Sequence, residues 1–440
     1  MVDSLYSAPR LSGFMRESPA YTDMGNGITD RIVLLGHFDG LPLYDPYLVL
    51  NMQDLINAGD ADSTSPLLRA LFESYYSGGR DIWVVPVAPM EEYVAELNAR
   101  LTPGSGRGTT PWGESEGQLQ IQTWFNRINQ MRVGRGVEQL TAPTESEWNN
   151  FNFYERYYQR LKIAYEVLIN QDISQLVHPV EALFNRTGTV DFLTQLADYC
   201  QEHLVHTGSV VMGAIGTRVD VLNSDINVVV EEILSDNRLT SEEDSYKFVS
   251  VIFGEISVNI QELPNSYSAP AASSAIGLLS NLPMSRSWIN QKLPVAVSPV
   301  GPDLKTNTIR ALSEKKINCI ARTSRGKRGE SFQTIVLTDN TVGQTGSDFW
   351  SMGQTRLLMH IIDRVRALSR NYIGTVHYDS YKKSVESFMF DIYLANHIRD
   401  YKINITRSTA DLNKLTVDIA FTPYTTVRQL NFVTEVGPGA

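Results

Sequence analysis

Between residues 154 and 253 the hydrophobic period switches repeatedly from helix to strand and back, and this alternation restricts the fold more than any other feature of the chain. Tyr157, Tyr158, Leu161, Tyr165 and Leu168 mark one face of a helix over 154–170, and Leu176, Val177 and His178 follow as a short strand. Phe192, Leu193, Leu196 and Cys200 set a second helix over 189–204, followed by a strand at Ser209–Met212. A third helix over 223–235 precedes a strand over Tyr246–Phe253. Helices alternating with short apolar strands predict a mainly parallel sheet with helices on its faces. The same pattern occurs upstream. Ile32–Leu35 and Ile82–Val87 read as buried strands around a helix over 65–76, with Ser65 at its cap, Pro66 in its first turn and Gly78 at its end.

The last third reads differently. After a Pro-rich break at Leu293–Pro302, strands are expected at 317–321 and 332–338, and long helices over 354–373 and 380–399. Leu415, Val417, Ile419 and Phe421 then alternate with polar residues, and Leu430, Phe432, Thr434 and Val436 repeat that period of two. A terminal strand of this kind must pair with something, because an open apolar edge templates aggregation. The sequence therefore predicts a mixed α/β and α+β, multidomain chain. Its expected parts are an N-terminal extended arm (1–28), an N-terminal α/β segment (29–100), a Gly-rich outer insertion (101–150), a central, mainly parallel α/β domain (151–295), a C-terminal α+β domain (296–423) and a C-terminal arm (424–440).

Charge and cysteine content narrow the function. With 38 basic against 49 acidic side chains the net charge is −11, which argues against bulk affinity for nucleic acid. No apolar run reaches the ~20 residues of a membrane span, and the first residues lack a signal-peptide pattern, so a soluble, intracellularly made chain is expected. Cys200 and Cys319 lie far apart and without a CxxC motif, and read as buried thiols.

Catalytic motifs are weak. Gly113-Glu114-Ser115-Glu116-Gly117 has the spelling of a nucleophile elbow without the preceding strand that lifts such a serine, and Gly104–Gly108 lacks the spacing of a phosphate loop. His203 and His206 stand three apart on a helix, a metal-compatible spacing with no third ligand nearby. An α/β hydrolase on 101–253 is thus a minor alternative, and no catalytic residue, cofactor or metal is expected. Two basic features remain: Arg322, Arg325, Lys327 and Arg328 in a loop, and Arg356, Arg366 and Arg370 on a helix arc opposite Leu357, Leu358, Ile361, Ile362, Val365 and Leu368.

In order, these features resemble the tail sheath proteins of contractile bacteriophages and related injection machines. Tyr6-Ser7-Ala8-Pro9 with Gly13-Phe14 resembles that family's N-terminal arm, and Leu71–Gly79 followed by Ile82–Val87 resembles its helix ending in Gly-Gly before a strand. Ala269–Leu279 is similar to its small-residue helix, Leu312–Val342 to its helix leading into a strand pair, and Trp350 with the helices after it completes the series. The resemblance implies a non-catalytic structural protein. Such subunits stack as hexameric rings in a helical polymer around a tail tube, bounded by baseplate and terminator proteins, and contract to drive the tube through the host envelope for genome ejection. It further implies a virion location after assembly in host cytoplasm, with no nucleic acid or membrane bound by the subunit. The sheath of a bacterial injection or secretion machine is the alternative. Terminal arms would exchange strands between subunits through Leu5, Tyr6, Phe14, Leu430, Phe432, Thr434 and Val436, and Arg356, Arg366 and Arg370 would face the tube.

Overall fold

The computed structural model describes residues 30–38, 41–52, 65–87, 153–173, 175–184, 190–217, 226–240, 244–260, 262–263, 266–284, 286–289, 291–299, 304–322, 334–342, 351–372, 378–407 and 415–423. The expected arms, with Leu5, Tyr6, Phe14, Leu430, Phe432, Thr434 and Val436, lie outside the described residues, as do the 101–150 insertion with its Gly motifs, Arg325, Lys327, Arg328 and Trp350.

Thirteen strands are described: β1 Ile32–Gly36, β2 Tyr47–Leu48, β3 Ile82–Pro86, β4 Leu176–Pro179, β5 Met212–Gly216, β6 Val249–Phe253, β7 Glu255–Val258, β8 Tyr267–Pro270, β9 Ala296–Pro299, β10 Ile317–Arg322, β11 Thr334–Val336, β12 Ile398–Arg407 and β13 Leu415–Pro423. The α-helices are α1 Pro66–Ser77, α2 Phe153–Gln171, α3 Phe192–Thr207, α4 Ile226–Leu234, α5 Ala272–Ser280, α6 Thr306–Glu314, α7 Met352–Arg370 and α8 Tyr378–Leu394. Eight strands form one sheet in the order β11-β10-β6-β5-β4-β1-β3-β2, parallel throughout except where β2 meets β3 and β11 meets β10. This sheet is the expected mainly parallel one. It draws strands from the spans 29–100, 151–295 and 296–423 alike, and they share one hydrophobic core.

Small residues determine how helices meet the sheet. On β5, a Cβ at Gly213 would lie 2.6 Å from Leu196 of α3, while one at Gly216 would lie 3.6 Å from Ala272 of α5. Positions three apart on a strand face opposite sides, so α3 and α5 cover opposite faces. With α3 packs α2, through Tyr165 stacked on Tyr199 with ring centroids 4.4 Å apart. With α5 packs α1, so closely that a Cβ at Gly277 would come within 2.2 Å of the Ser74 carbonyl oxygen. The Ser and Ala content of Ala272–Ser280 thus reflects a helix buried along its whole length.

Several element readings need correction. The strand read at Ser209–Met212 begins at Met212, because Ser209–Val211 is the buried approach to it. The strand read from Tyr246 starts at Val249, since Asp244–Phe248 forms a 3-10 turn. The Pro-rich break contains β9, which pairs with β7, whose other neighbour is β8. Ser65 does precede α1, yet its hydroxyl is donated to the His37 carbonyl at 2.9 Å instead of capping the helix. The helix expected over 380–399 stops at Leu394, and Ile398 already begins β12.

Candidate assembly site

The C-terminal elements form a second, smaller layered unit. β12 and β13 pair antiparallel in register from Asp400↔Thr422 to Arg407↔Leu415 and form a sheet with no third strand among the described residues. Both strands alternate strictly: Tyr401, Ile403, Ile405, Leu415, Val417, Ile419 and Phe421 face inward, while Lys402, Asn404, Thr406, Thr416, Asp418, Ala420 and Thr422 are exposed. The inner face rests on α8 through Tyr381, Val385, Phe388, Met389 and Ile392, and on α7 through Leu357, Ile361, Val365 and Leu368. Ser351 caps α7 by accepting the Gln354 N–H at 3.2 Å.

The two edges of this sheet differ. At β12 the Tyr401 N–H is donated to the Asp400 carboxylate (2.8 Å), and the Ile405 carbonyl accepts the Tyr378 hydroxyl (2.5 Å). The odd-numbered residues of β12 therefore turn their main-chain groups away from β13. Because directly opposed residues of an antiparallel pair share that orientation, Val417, Ile419 and Phe421 of β13 also point their N–H and C=O groups outward. No described residue takes those groups.

The three arginines singled out on α7 are not a single solvent-facing stripe. Arg356 is fully buried, ion-paired through Nε with Asp30 and bonded to the carbonyls of Leu282 and, at 2.9 Å, Pro283. Its wheel position is opposite the apolar arc, but α7 is itself sandwiched between the sheet body and the C-terminal layer, so that arc is interior too. His360 Nε2 lies 2.6 Å from the other Asp30 oxygen. Burial alone would raise the Asp30 pKa, but Arg356 and His360 beside it hold it below the ordinary carboxylate value. Further along the helix, Arg366 donates to Asp172 at 2.9 Å, and Gln175 donates to Asp363 at 2.8 Å. Arg370 is half-buried in the last turn. These bonds join α7 to the root of β1 and to the end of α2.

His203 is buried, with Nδ1 3.2 Å from the Ser209 carbonyl and Nε2 3.7 Å from Asp172; burial pushes its pKa down to about 4 despite that carboxylate, while His206 is exposed. Among the described residues no three His, Cys, Asp or Glu side chains converge as metal ligands. A cleft of about 160 Å³ lies beyond β4 and beside α1, with Arg69, Glu73, Glu181, Tyr267 and Ser273 in its lining. Behind it Ser273 Oγ is 3.1 Å from His178 Nε2, and the other ring nitrogen of His178 is 2.9 Å from the Ala214 carbonyl. Both side chains are buried, and burial lowers the His178 pKa to about 4. The pair links α5 to β4 and β5.

Sequence reading found β13 through its alternation but missed β12, Tyr378, Asp400 and Asp30. The inward alternation of Tyr401, Ile403 and Ile405 was the available signal for β12, and Arg399, Asp400 and Lys402 masked it by continuing the polar face of α8.

No protein-family model matches the chain, and no curated protein matches it. Solved structures do. The sheath tail protein of Listeria innocua aligns with a TM-score of 0.56 at 9% identity, over 95% of this chain and 96% of that one. The sheath complex of an extracellular contractile injection system, PVC, in its contracted state aligns with a TM-score of 0.56 at 10% identity, over 94% and 95% of the two chains. A chain of the anti-feeding prophage baseplate gives 0.54 at 12% identity, again over 94% and 95%. The chain has the fold of contractile sheath proteins along nearly its whole length.

Proposed function

We propose that the chain is a non-catalytic sheath subunit that polymerises with copies of itself through strand addition at the β12–β13 sheet. One observation carries this reading: a two-stranded sheet whose β13 edge points main-chain groups outward that no described residue takes, in a chain whose residues 430–436 repeat the period of a strand. Strand addition supplies main-chain hydrogen bonds with side-chain selectivity, and it links bodies that are free to rotate against one another. The sheath fold supports the same role. In this reading the subunits stack as hexameric rings around a tail tube, with baseplate and terminator proteins at the ends, and contraction drives the tube through the envelope. The arms 1–28 and 424–440 serve as exchanged strands, the 101–150 insertion lies outermost, and Arg366 and Arg370 face the tube while Arg356 is committed to interior bonds.

A phage virion whose tail ejects a genome is the first setting proposed. An injection machine is the second, and the likeness to the PVC and anti-feeding prophage assemblies favours it. Deleting Arg428–Ala440 tests the assembly reading. Folded subunits that no longer polymerise are expected, and normal polymers from the truncated chain would refute it.

A further inference from the structure

We infer that the cleft beside α1 binds an alkylammonium group, carried by a free small amine or by a lysine side chain of a second copy of this chain. No arm or sheet edge takes part, so the site holds whether or not strands are exchanged between subunits. Its position in the fold is the first support. Leaving aside the antiparallel edge strands, the chain adds β3 on one side of β1 and then β4, β5, β6 and β10 on the other, so the winding reverses between β1 and β4. Open parallel sheets bind ligands outside the carboxyl ends of their strands at such a reversal. Val180 and Glu181, which follow β4, and Pro66, which opens the helix after β1, line the cleft there.

Chemistry selects the ligand. Glu73, Glu181 and Glu255 bring three carboxyl groups to the lining, against Arg69 as its one cation among the described residues. Arg69 lies over the Tyr267 ring, 4.6 Å from its centroid. Glu73 is buried and accepts the Tyr267 hydroxyl, while Glu255 accepts the Ser268 hydroxyl at 3.1 Å. Glu181 is placed differently. Its side chain is only 8% exposed, and its Oε2 takes both the main-chain N–H of His37, at 3.2 Å, and the His37 imidazole. Its Oε1 is buried with no hydrogen-bond partner among the described residues. A buried carboxylate oxygen without a donor is costly, and a cationic group with several N–H donors relieves that cost. Val180, Leu183 and Pro270 offer an apolar wall for a short stem. The volume of about 160 Å³ admits a molecule of roughly benzene size, which suits a four-carbon amine and excludes a nucleotide.

Titration of the full-length chain with n-butylammonium chloride, followed by calorimetry and by hydrogen exchange, tests the site. Saturable binding with a dissociation constant on the order of 1 mM is expected, with protection gained at 66–73, 180–184 and 267–273 and not at 415–423. n-Butanol, of similar shape without the charge, should bind at least about tenfold more weakly, and so should n-butylammonium to the Glu181→Gln variant. Because Glu181 also holds His37, Ser268→Trp serves as a second variant. Ser268 is exposed at the rim of the cleft, so a bulky ring there fills the mouth without entering the core, and binding should disappear. No saturable binding, protection elsewhere, equal binding of n-butanol or undiminished binding to either folded variant would overturn the inference. Uptake of inorganic phosphate, drawn by Arg69, in place of the amine would overturn it too. The source of the group is read from the same titration: self-association that n-butylammonium reverses assigns the site to a lysine of a second copy, and binding with no effect on self-association assigns it to a free amine.

Discussion

Glu73 shows how one residue can weaken a fold that is otherwise consistent. It is buried beneath Tyr267, whose hydroxyl it accepts at 2.9 Å, and burial raises its pKa from 4.5 to about 8. The folded state thus retains a proton that the unfolded chain releases. The carboxyl costs nothing below about pH 4.5, and its penalty grows as pH rises towards 8, where it levels off. Glu73→Gln is therefore expected to stabilise the protein by a few kcal/mol at pH 8, at ~1.4 kcal/mol per tenfold change in the proton equilibrium, and to have little effect at pH 4.5. Thermal unfolding of both proteins across that range checks it, and a stabilisation that shrinks with rising pH would contradict it. The opposite situation holds at Asp30, where a buried carboxylate is matched by Arg356 and His360. Arg356→Met takes the guanidinium away from that charge and should cost about 3–5 kcal/mol, whereas adding Asp30→Asn should recover part of the loss. Urea unfolding of the two single variants and the double variant measures the coupling. Neither residue was legible as a partner in the sequence: Arg356 reads as a surface cation until the second layer over α7 is known, and Asp30 stands just beyond the expected arm, at the start of the segment 29–100.

Among elements, legibility followed side-chain size. β1 and β3 are rich in branched apolar residues and were found within a residue or so, whereas β5, Met-Gly-Ala-Ile-Gly, has little intrinsic strand preference and is set by helices α3 and α5 closing on its glycines. β7, β8 and β9 pair only with one another, and their four-residue lengths carry too few periods to be recognised. The α1–α5 contact was half legible: the small residues of 269–279 are evident, but only the structure shows that Gly277 touches the main chain of α1 at Ser74. Gly277→Ala must push apart two fully packed helices. It is expected to destabilise the protein by at least ~2 kcal/mol, beyond the small helix-propensity gain of alanine, and an unchanged denaturation midpoint would show that the contact is looser than described.

At the scale of the whole molecule, a broad parallel-sheet body is joined by α7 to a thin layer of α8, β12 and β13. The body joins eight strands in one sheet, while no described strand pairs with the outer edge of β13. In the function proposed above, that division suits a subunit whose body stays rigid while its neighbours are linked through the thin layer. The mixed α/β class and the mainly parallel sheet were legible from periodicity. Which sheet offers the edge was not, because β12 lay hidden in the polar continuation of a helix. The most direct test of the central claim is negative-stain electron microscopy of concentrated, tag-free protein, alone and co-expressed with a candidate tube protein, beside the same samples lacking Arg428–Ala440. Striated hollow cylinders from the full chain and only discrete folded particles from the truncated one are predicted. Discrete particles from the full chain in both settings, or cylinders that survive the truncation, would contradict it.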